Sequence, residues 1–393
     1  MTRMTPPQPL PPALYAAFDV FPSAKGAAVH IDRFARRLFE RAGGGLLYVL
    51  GNAELPAGQH EGTVEILRYR DGPANLLERA LGFGCTLDRL LARRGGALRL
   101  AQFRDPWSGV PLLQRVGPDC RTIYEVNGLP SIELPFAFPA IGPATIAKLR
   151  AAERWCLERA DCIVTPSHTI ARNLVAMGAD PQRLRVIPNG AEVPVDPLPP
   201  APAPWPYLLY FGAVQPWQGL PTLLYAFARL ADFRDLRLVI CAAVHPRRVK
   251  HYQRLAEHLG VATRVHWEFQ LDQSALDPWR RHALIAVAPL TECTRNLEQG
   301  CAPLKILEAM AAGVPVVASD LPAVHEIMTD GRHGRLVPPD RPAELARALR
   351  ILLEYPQLRT QMGEEARRAM MDHLSWECAL TRLDAVYAGL GLD

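Results

Sequence analysis

Lysine is nearly missing from this sequence. Of 44 basic residues only four are lysines, at positions 25, 148, 250 and 305. Lys25 and Lys305 stand in glycine-containing segments, AKGA and GCAPLK. A strong charge of one sign is also missing. The formal net charge is +4, too small by itself to argue for nucleic acid. No apolar run reaches the ~18–20 residues that a bilayer-crossing helix needs. The start, MTRMTPPQPLPP, has no apolar core segment, so no signal peptide is expected. The eight cysteines (85, 120, 156, 162, 241, 293, 301, 378) show no close pairing. That excludes a zinc or Cys-x-x-Cys redox signature and suits a reducing cytoplasm. No Asp-x-Asp triplet occurs, so no dedicated metal site is indicated.

What is present suffices for two domains. The chain has 393 residues, 49% hydrophobic and 21% charged, an ordinary folded composition with room for two cores. Its positive excess is uneven. Residues 1–196 hold 23 Lys+Arg against 19 Asp+Glu, and the remainder balances at 21 each. Much of the excess lies on DRFARRLFERA (32–42) and LDRLLARRGGALRLAQFR (87–104). These are either solvated helix faces or a surface for anionic lipid or another phosphorylated partner.

Short apolar runs alternate with longer amphipathic stretches, which predicts an α/β chain with parallel sheets and helical crossovers. Strands are expected at 13–20, 46–52, 64–69, 98–104, 122–127, 162–167 and 184–188. A second series follows at 207–214, 236–244, 264–270, 283–290, 314–319 and 334–338. Helices are expected at about 144–160, 219–231, 247–259 and 303–312, with a mostly helical tail from about 342. Between the two series PVDPLPPAPAPWP (194–206) reads as a stiff, extended connector. It separates Rossmann-like domains at 1–195 and 196–374, whose sheets bind ligands at their carboxyl ends.

Three segments carry chemistry. In GCAPLKILEAM, Pro303 suits the first helical position and Gly313 the stop beyond it. The amides of Gly300, Cys301 and Ala302, with the helix dipole, suit phosphate or sugar hydroxyls. Glu308 could accept bonds from two vicinal hydroxyls. The plain alternative, an exposed helix glutamate, is disfavoured by its neighbours Ile306, Leu307, Ala309 and Met310. Lys305 opposes the helix dipole unless an anion is held there. QFRDPW and YEVNGLPS place Arg104, Asp105, Glu125 and Asn127 directly after expected strands, where Asp and Asn also serve as turn formers. His30 reads equally as a packing or capping residue and as a catalytic one.

The stretch LKILEAMAAGVPVVASDLPAVHEIMTDGRHGRLVPPD resembles the nucleotide-sugar-binding segment of the family 4 retaining glycosyltransferases, which have the GT-B fold. FPSAKGAAVHIDRFARRL resembles that family's N-terminal glycine loop, and ERADCIVTPSHTIARNLVAMGADPQRLRVIPNGAEV the end of its first domain. YFGAVQPWQGLPTLLYAFARL resembles the first βα unit of its second domain. The resemblance implies two Rossmann-like domains facing across a cleft, with the last helix, about 375–393, packing back on the first. It implies retaining hexosyl transfer from a nucleotide-diphosphate sugar to a glycan or lipid-linked acceptor, as in polysaccharide biosynthesis.

Roles follow at matching positions. Glu308 matches the ribose-holding glutamate, and Gly26 and Ala27 match the loop near the donor phosphate. Gly300, Cys301 and Ala302 match amides that meet the donor sugar. Gly212 and Gln218 belong to the loop after the second domain's first strand. Three departures stand out. The first of the family's two glutamates would fall at Gly300, with Glu298 two positions earlier, and the loop's usual arginine and lysine are replaced by Ala213 and Gln218. Lys305, helped by Arg295, Arg247 or Lys25, is therefore expected to supply the missing charge; the rival is that it points to solvent. Catalytic candidates are Lys305, Glu308 and Asn127, and acceptor candidates Lys25, Arg104, Asp105, Glu125 and Asn127. The departing diphosphate itself would take the acceptor proton, so no protein nucleophile is required. No cofactor, metal or nucleic acid is expected. A cytoplasmic location with peripheral contact at the inner membrane face is. The alternatives are an inactive sugar-nucleotide-binding subunit and a sugar-nucleotide epimerase.

Overall fold

The computed structural model describes residues 11–23, 26–70, 72–300 and 302–392. Two candidate site residues, Lys25 and Cys301, lie outside them. The chain divides into two units. Of the described residues, the first holds 11–23, Ala27–Ile187 and 380–392; the second holds Gly26 and Pro188–Ala379.

In the first unit eight strands form one sheet: β1 (Ala13–Val20), β2 (Gly45–Leu50), β3 (Gly58–Glu61), β4 (Val64–Tyr69), β5 (Leu100–Phe103), β6 (Arg121–Glu125), β7 (Cys162–Thr165) and β8 (Leu184–Val186). Their order is β3-β4-β2-β1-β5-β6-β7-β8. All pairs are parallel except β3 with β4. Strand β3 escaped the sequence pattern because GQHE is polar and lies mostly exposed at the sheet edge. Polar composition is a common way to blunt such an edge.

The second unit has six strands: β9 (Tyr207–Gly212), β10 (Arg237–Ala242), β11 (Val265–Phe269), β12 (Ile285–Ala288), β13 (Val316–Ser319) and β14 (Gly334–Val337). All are parallel, ordered β11-β10-β9-β12-β13-β14. Both faces of this sheet are buried. Tyr207, Leu209 and Phe211 of β9 enter one apolar cluster while Leu208 and Tyr210 enter the other. That is why the strand reads as an unbroken apolar run rather than an alternating one. In each sheet the winding reverses beside the first strand, between β1 and β5 and between β9 and β12. Loops at the carboxyl ends of such strand pairs leave an opening for ligand.

The proline-rich segment 194–206, expected as a stiff, extended connector, carries no helix or strand but lies within the second unit rather than between the two. The main segment of that unit runs from Pro188 to Ala379. Arg367 donates to the Pro194 carbonyl, and Arg281 to that of Asp196 at 2.8 Å. His282 Nε2 lies 2.6 Å from the Pro199 carbonyl oxygen. Trp205 then packs beside Tyr207, His266 and Trp279. A proline-rich extended stretch offers few N–H donors to its own carbonyls, so these are met from outside, here by two arginines and a histidine ring. Residues 380–392 of the last helix, Trp376–Gly389 and beyond, sit in the first unit, where Asp384 receives Arg37 and Arg41. Among the described residues no helix is long and apolar enough to cross a membrane.

Candidate functional site

The first unit gathers a polar knot at the carboxyl ends of β1, β5 and β6. Its centre is Glu125, the last residue of β6, only 1% exposed. Tyr15 of β1 donates to it at 2.7 Å, Gln102 of β5 at 2.6 Å and Asn127 at 2.6 Å. Arg104 Nε lies 2.9 Å and His30 Nδ1 3.1 Å from the same carboxylate oxygen. Arg104 Nε makes this contact as a charge pair and has no hydrogen-bond partner of its own. Tyr387 of the last helix donates to Gln102 at 2.9 Å. Burial alone would raise the Glu125 carboxyl, but His30 and Arg104 outweigh it and hold it at about 2.

Arg104 turns its other nitrogen toward Asp19 at 3.3 Å and the Ala27 carbonyl at 3.4 Å. Ala27 lies in the first turn of helix Gly26–Ala42, which Gly26 opens. Asp105 has a local task. It accepts from the Phe18 amide at 2.7 Å and caps helix Pro106–Arg115 through the Ser108 amide at 2.8 Å. Burial pushes its carboxyl up to about 6. Glu125 and Asp105 are thus enclosed, while Asn127 stays half-buried and Asp19 is 41% exposed at the side chain. His30 stacks on Phe34 with ring centres 4.0 Å apart.

The second unit places its candidates at the ends of β9 and β12. Gly212 ends β9 at φ 104°. After the short turn Pro216–Gln218, Gly219 takes φ 68° and opens helix Leu220–Ala228. A Cβ at Gly219 would come within 1.6 Å of the Pro289 carbonyl oxygen, so only glycine lets this loop lie against the β12 loop. Lys305 Nζ donates to Gln218 Oε1 at 2.6 Å and sits 3.9 Å from the centre of the Tyr210 ring. Its Cε is 3.8 Å from where a side chain at Gly212 would begin. The lysine therefore does not simply point to solvent. Its ammonium lies where the loop's own position 218 supplies only a neutral amide.

The chain approaches this helix through a π-helical turn, Arg295–Gln299, and Gly300 at φ 82°. Asn296 secures the turn, donating to the Trp217 carbonyl at 3.0 Å and that of Thr291 at 2.8 Å. Arg295 stacks over the Trp217 ring at 5.3 Å, and Glu298 is exposed on the turn. Asn189 holds the Ala302 carbonyl at 3.2 Å. Pro303 precedes the helix rather than opening it. Its ψ of 102° is extended, so Leu304–Ala311 is the helix.

Glu308, one turn beyond Lys305, has 16% of its side chain exposed and lies 3.4 Å from Arg280 of helix Gln273–Arg281. Burial raises its carboxyl above the ordinary value, against the pull of Arg280 and Lys305. It is not a solvated helix residue. Arg247 sits apart on the exposed turn after β10, bonded through its own amide to His245. Tyr210, Arg280, Tyr15, Gln102 and Tyr387 were not singled out from sequence. Each owes its place to a partner distant in the chain.

Comparison with known proteins agrees with this architecture. The pattern described as Glycosyltransferase Family 4 matches residues 24–193, and that described as Glycosyl transferases group 1 matches residues 205–355. An MMP α-(1→4)-mannosyltransferase of Mycolicibacterium hassiacum is 34% identical over 44% of this chain and 40% of its own length. A D-inositol 3-phosphate glycosyltransferase of Catenulispora acidiphila is 31% identical over 57% of this chain and 55% of its own. The aligned part thus spans about half the length of these curated relatives. Among solved structures, sucrose-phosphate synthase from Thermosynechococcus elongatus superposes with a TM-score of 0.78 at 20% identity, over 96% of this chain and 99% of its own. Anabaena HepE, solved with UDP-glucose, gives 0.74 at 15% identity over 96% of this chain and 99% of its own. The fold is GT-B.

Proposed function

The chain belongs to the family 4 glycosyltransferases, and from that premise we propose that it moves a sugar, with retention, from a nucleotide-diphosphate sugar to a glycan or lipid-linked acceptor. The observation that carries this reading is the seat of Lys305. An ammonium held by Gln218, over the Tyr210 ring and beside Gly212, lies at the carboxyl end of β9. A diphosphate gains charge as the sugar leaves it, and a positioned cation stabilises that charge most where water is scarce. The ammonium thus takes over from the cations absent at Ala213 and Gln218, and the reaction proceeds without a metal.

Glu308 holds the ribose hydroxyls. Ionised carboxylate accepts such bonds well, and Arg280 keeps that form within reach despite burial. The departing diphosphate removes the acceptor proton. Asn127 and the Arg104–Asp19 pair present the polar rim that meets the acceptor, with Glu125 fixing both Asn127 and Arg104 from behind. A uridine donor is the first to test, because HepE was solved with UDP-glucose.

Thermal melting with UDP, GDP and ADP sugars tests the reading. One nucleotide raises the melting point, by about 2.7 kcal/mol of stabilisation at 100 times its dissociation constant. Glu308→Ala abolishes the shift. Lys305→Ala weakens the diphosphate but leaves the corresponding nucleoside monophosphate unchanged. No shift with any nucleotide, or a full shift in Glu308→Ala, overturns the proposal. Radiolabel from the sugar appearing in an acceptor separates transfer from epimerisation and from binding alone.

A further inference from the structure

The second sheet has two outer edges, and the chain treats them differently. Along β14 the carbonyls of His333 and Val337 face β13, so Gly334 and Leu336 turn their backbone groups outward. The preceding loop meets those groups. Gly331 donates to the Gly334 carbonyl at 2.9 Å, and the Leu336 amide donates to Asp330 at 2.8 Å. An edge covered in this way offers little to another chain.

Strand β11, at the other edge, has no such cover. It pairs only with β10, over five residues in unbroken register. Gln270 donates to the Ala242 carbonyl at 2.9 Å, which fixes the parity. Even-numbered residues face β10, while Val265, Trp267 and Phe269 turn their backbone groups outward. The Val265 amide is met by the Ala262 carbonyl. The amides of Trp267 and Phe269 have no partner among the described residues. The strand, VHWEF, holds no proline or lysine to discourage pairing. Its side chains alternate as well. Trp267 and Phe269 pack on the cluster that holds Leu238 and Ile240, with their rings 6.3 Å apart. His266 lies on the opposite face beside Trp279, with Nε2 2.8 Å from Glu268 Oε1. The side chains of His266 and Glu268 are 39% and 32% exposed.

We propose that β11 is the contact by which two copies of this chain join, antiparallel about Trp267, into one continuous sheet. A two-fold axis through Trp267 sets Val265 opposite Phe269 of the partner subunit. His266 then faces Glu268 of the partner subunit, on both sides of the axis. Each Trp267 amide reaches the opposite Trp267 carbonyl, and each Phe269 amide reaches the opposite Val265 carbonyl. The Val265 amide, already occupied, is not called upon. Moving the axis by one residue sets histidine against histidine or glutamate against glutamate, so charge selects this register. A second copy supplies both halves of that pairing by symmetry, whereas a foreign strand has to bring its own. The contact needs neither donor nor acceptor, so its outcome is separate from that of the transferase reading.

Sedimentation velocity of the full chain over a concentration series tests it. Wild type is expected to move from one chain to two as concentration rises. Glu268→Lys and His266→Glu each weaken self-association roughly tenfold, because both symmetry-related pairs are lost together. Mixed in equal amounts, the two variants associate at wild-type strength, since lysine and histidine of one then meet the glutamates of the other. Both side chains are half-exposed, and unchanged melting points confirm folding. Wild type that stays single at every concentration, a dimer indifferent to either substitution, or a mixture that fails to associate overturns the proposal.

Discussion

Taking the charge from Glu125 would leave Arg104 and His30 facing a neutral amide inside the protein, 2.9 and 3.1 Å away. Removing one partner of a buried charge cluster costs about 3–5 kcal/mol. Glu125→Gln is therefore expected to lower the urea midpoint of the first unit while leaving nucleotide affinity intact. The carboxyl is held at about 2, below its ordinary 4.5. Its contribution is present above 4.5 and is lost as pH falls through about 2, so the variant also flattens the acid limb of the unfolding curve. Residues of this kind were half legible. Glu125, Arg104 and Asn127 announce themselves because polar residues directly follow apolar strands. Tyr15 and Tyr387 do not, since they reach their partners across 110 and 285 positions, and no local pattern records such a meeting. Likewise Lys305 drew notice by its rarity, but its contact with Gln218 spans 87 positions.

Among the elements, helix Pro130–Ala137 depends on its neighbour. It has no side-chain cap of its own. Glu153 of helix Pro143–Arg159 accepts instead from the Ser131 amide at 2.8 Å and the Ser131 hydroxyl at 2.6 Å. Burial raises this carboxyl to about 7 from an ordinary 4.5. The folded protein thus keeps a proton that the unfolded chain releases. Stability from this group is full below about 4.5 and declines as pH rises through about 7, by on the order of 3 kcal/mol. Urea titrations at a series of pH values should show that decline in the wild type and a flatter profile in Glu153→Gln. Helix Pro143–Arg159 was readable from its spacing. Helix Pro130–Ala137, with Pro130 and Pro135, was not, because proline vetoes a helical reading that the Glu153 tether makes tolerable. Strand β3 lacked any apolar pattern to read.

At the scale of the molecule, the alternation of apolar runs and amphipathic stretches made the two α/β units legible, and thirteen expected strands have counterparts in the sheets. The position of the division was harder to read. Proline richness suggested a connector, yet 194–206 is fastened along the second unit by Arg281, His282 and Arg367. The residues from Leu380, expected from the resemblance to pack on the first unit, count toward it, and Leu383 and Tyr387 are fully buried there. Ending the chain at Ala379 should therefore destabilise the first unit by more than about 5 kcal/mol, with the second unit's calorimetric transition little altered.

The chain leaves the first unit after Ile187 and returns to it at Leu380. A single protease nick at Ile187–Pro188 would split the first unit between two polypeptides, the second of which carries both the second unit and the first unit's return segment. The first unit is also a non-contiguous product of synthesis, lacking its last piece until the ribosome has finished the second. Tyr387 and Asp384 can meet Gln102 and Arg37 only after the second unit has been synthesised, so the unit begun earlier is completed later.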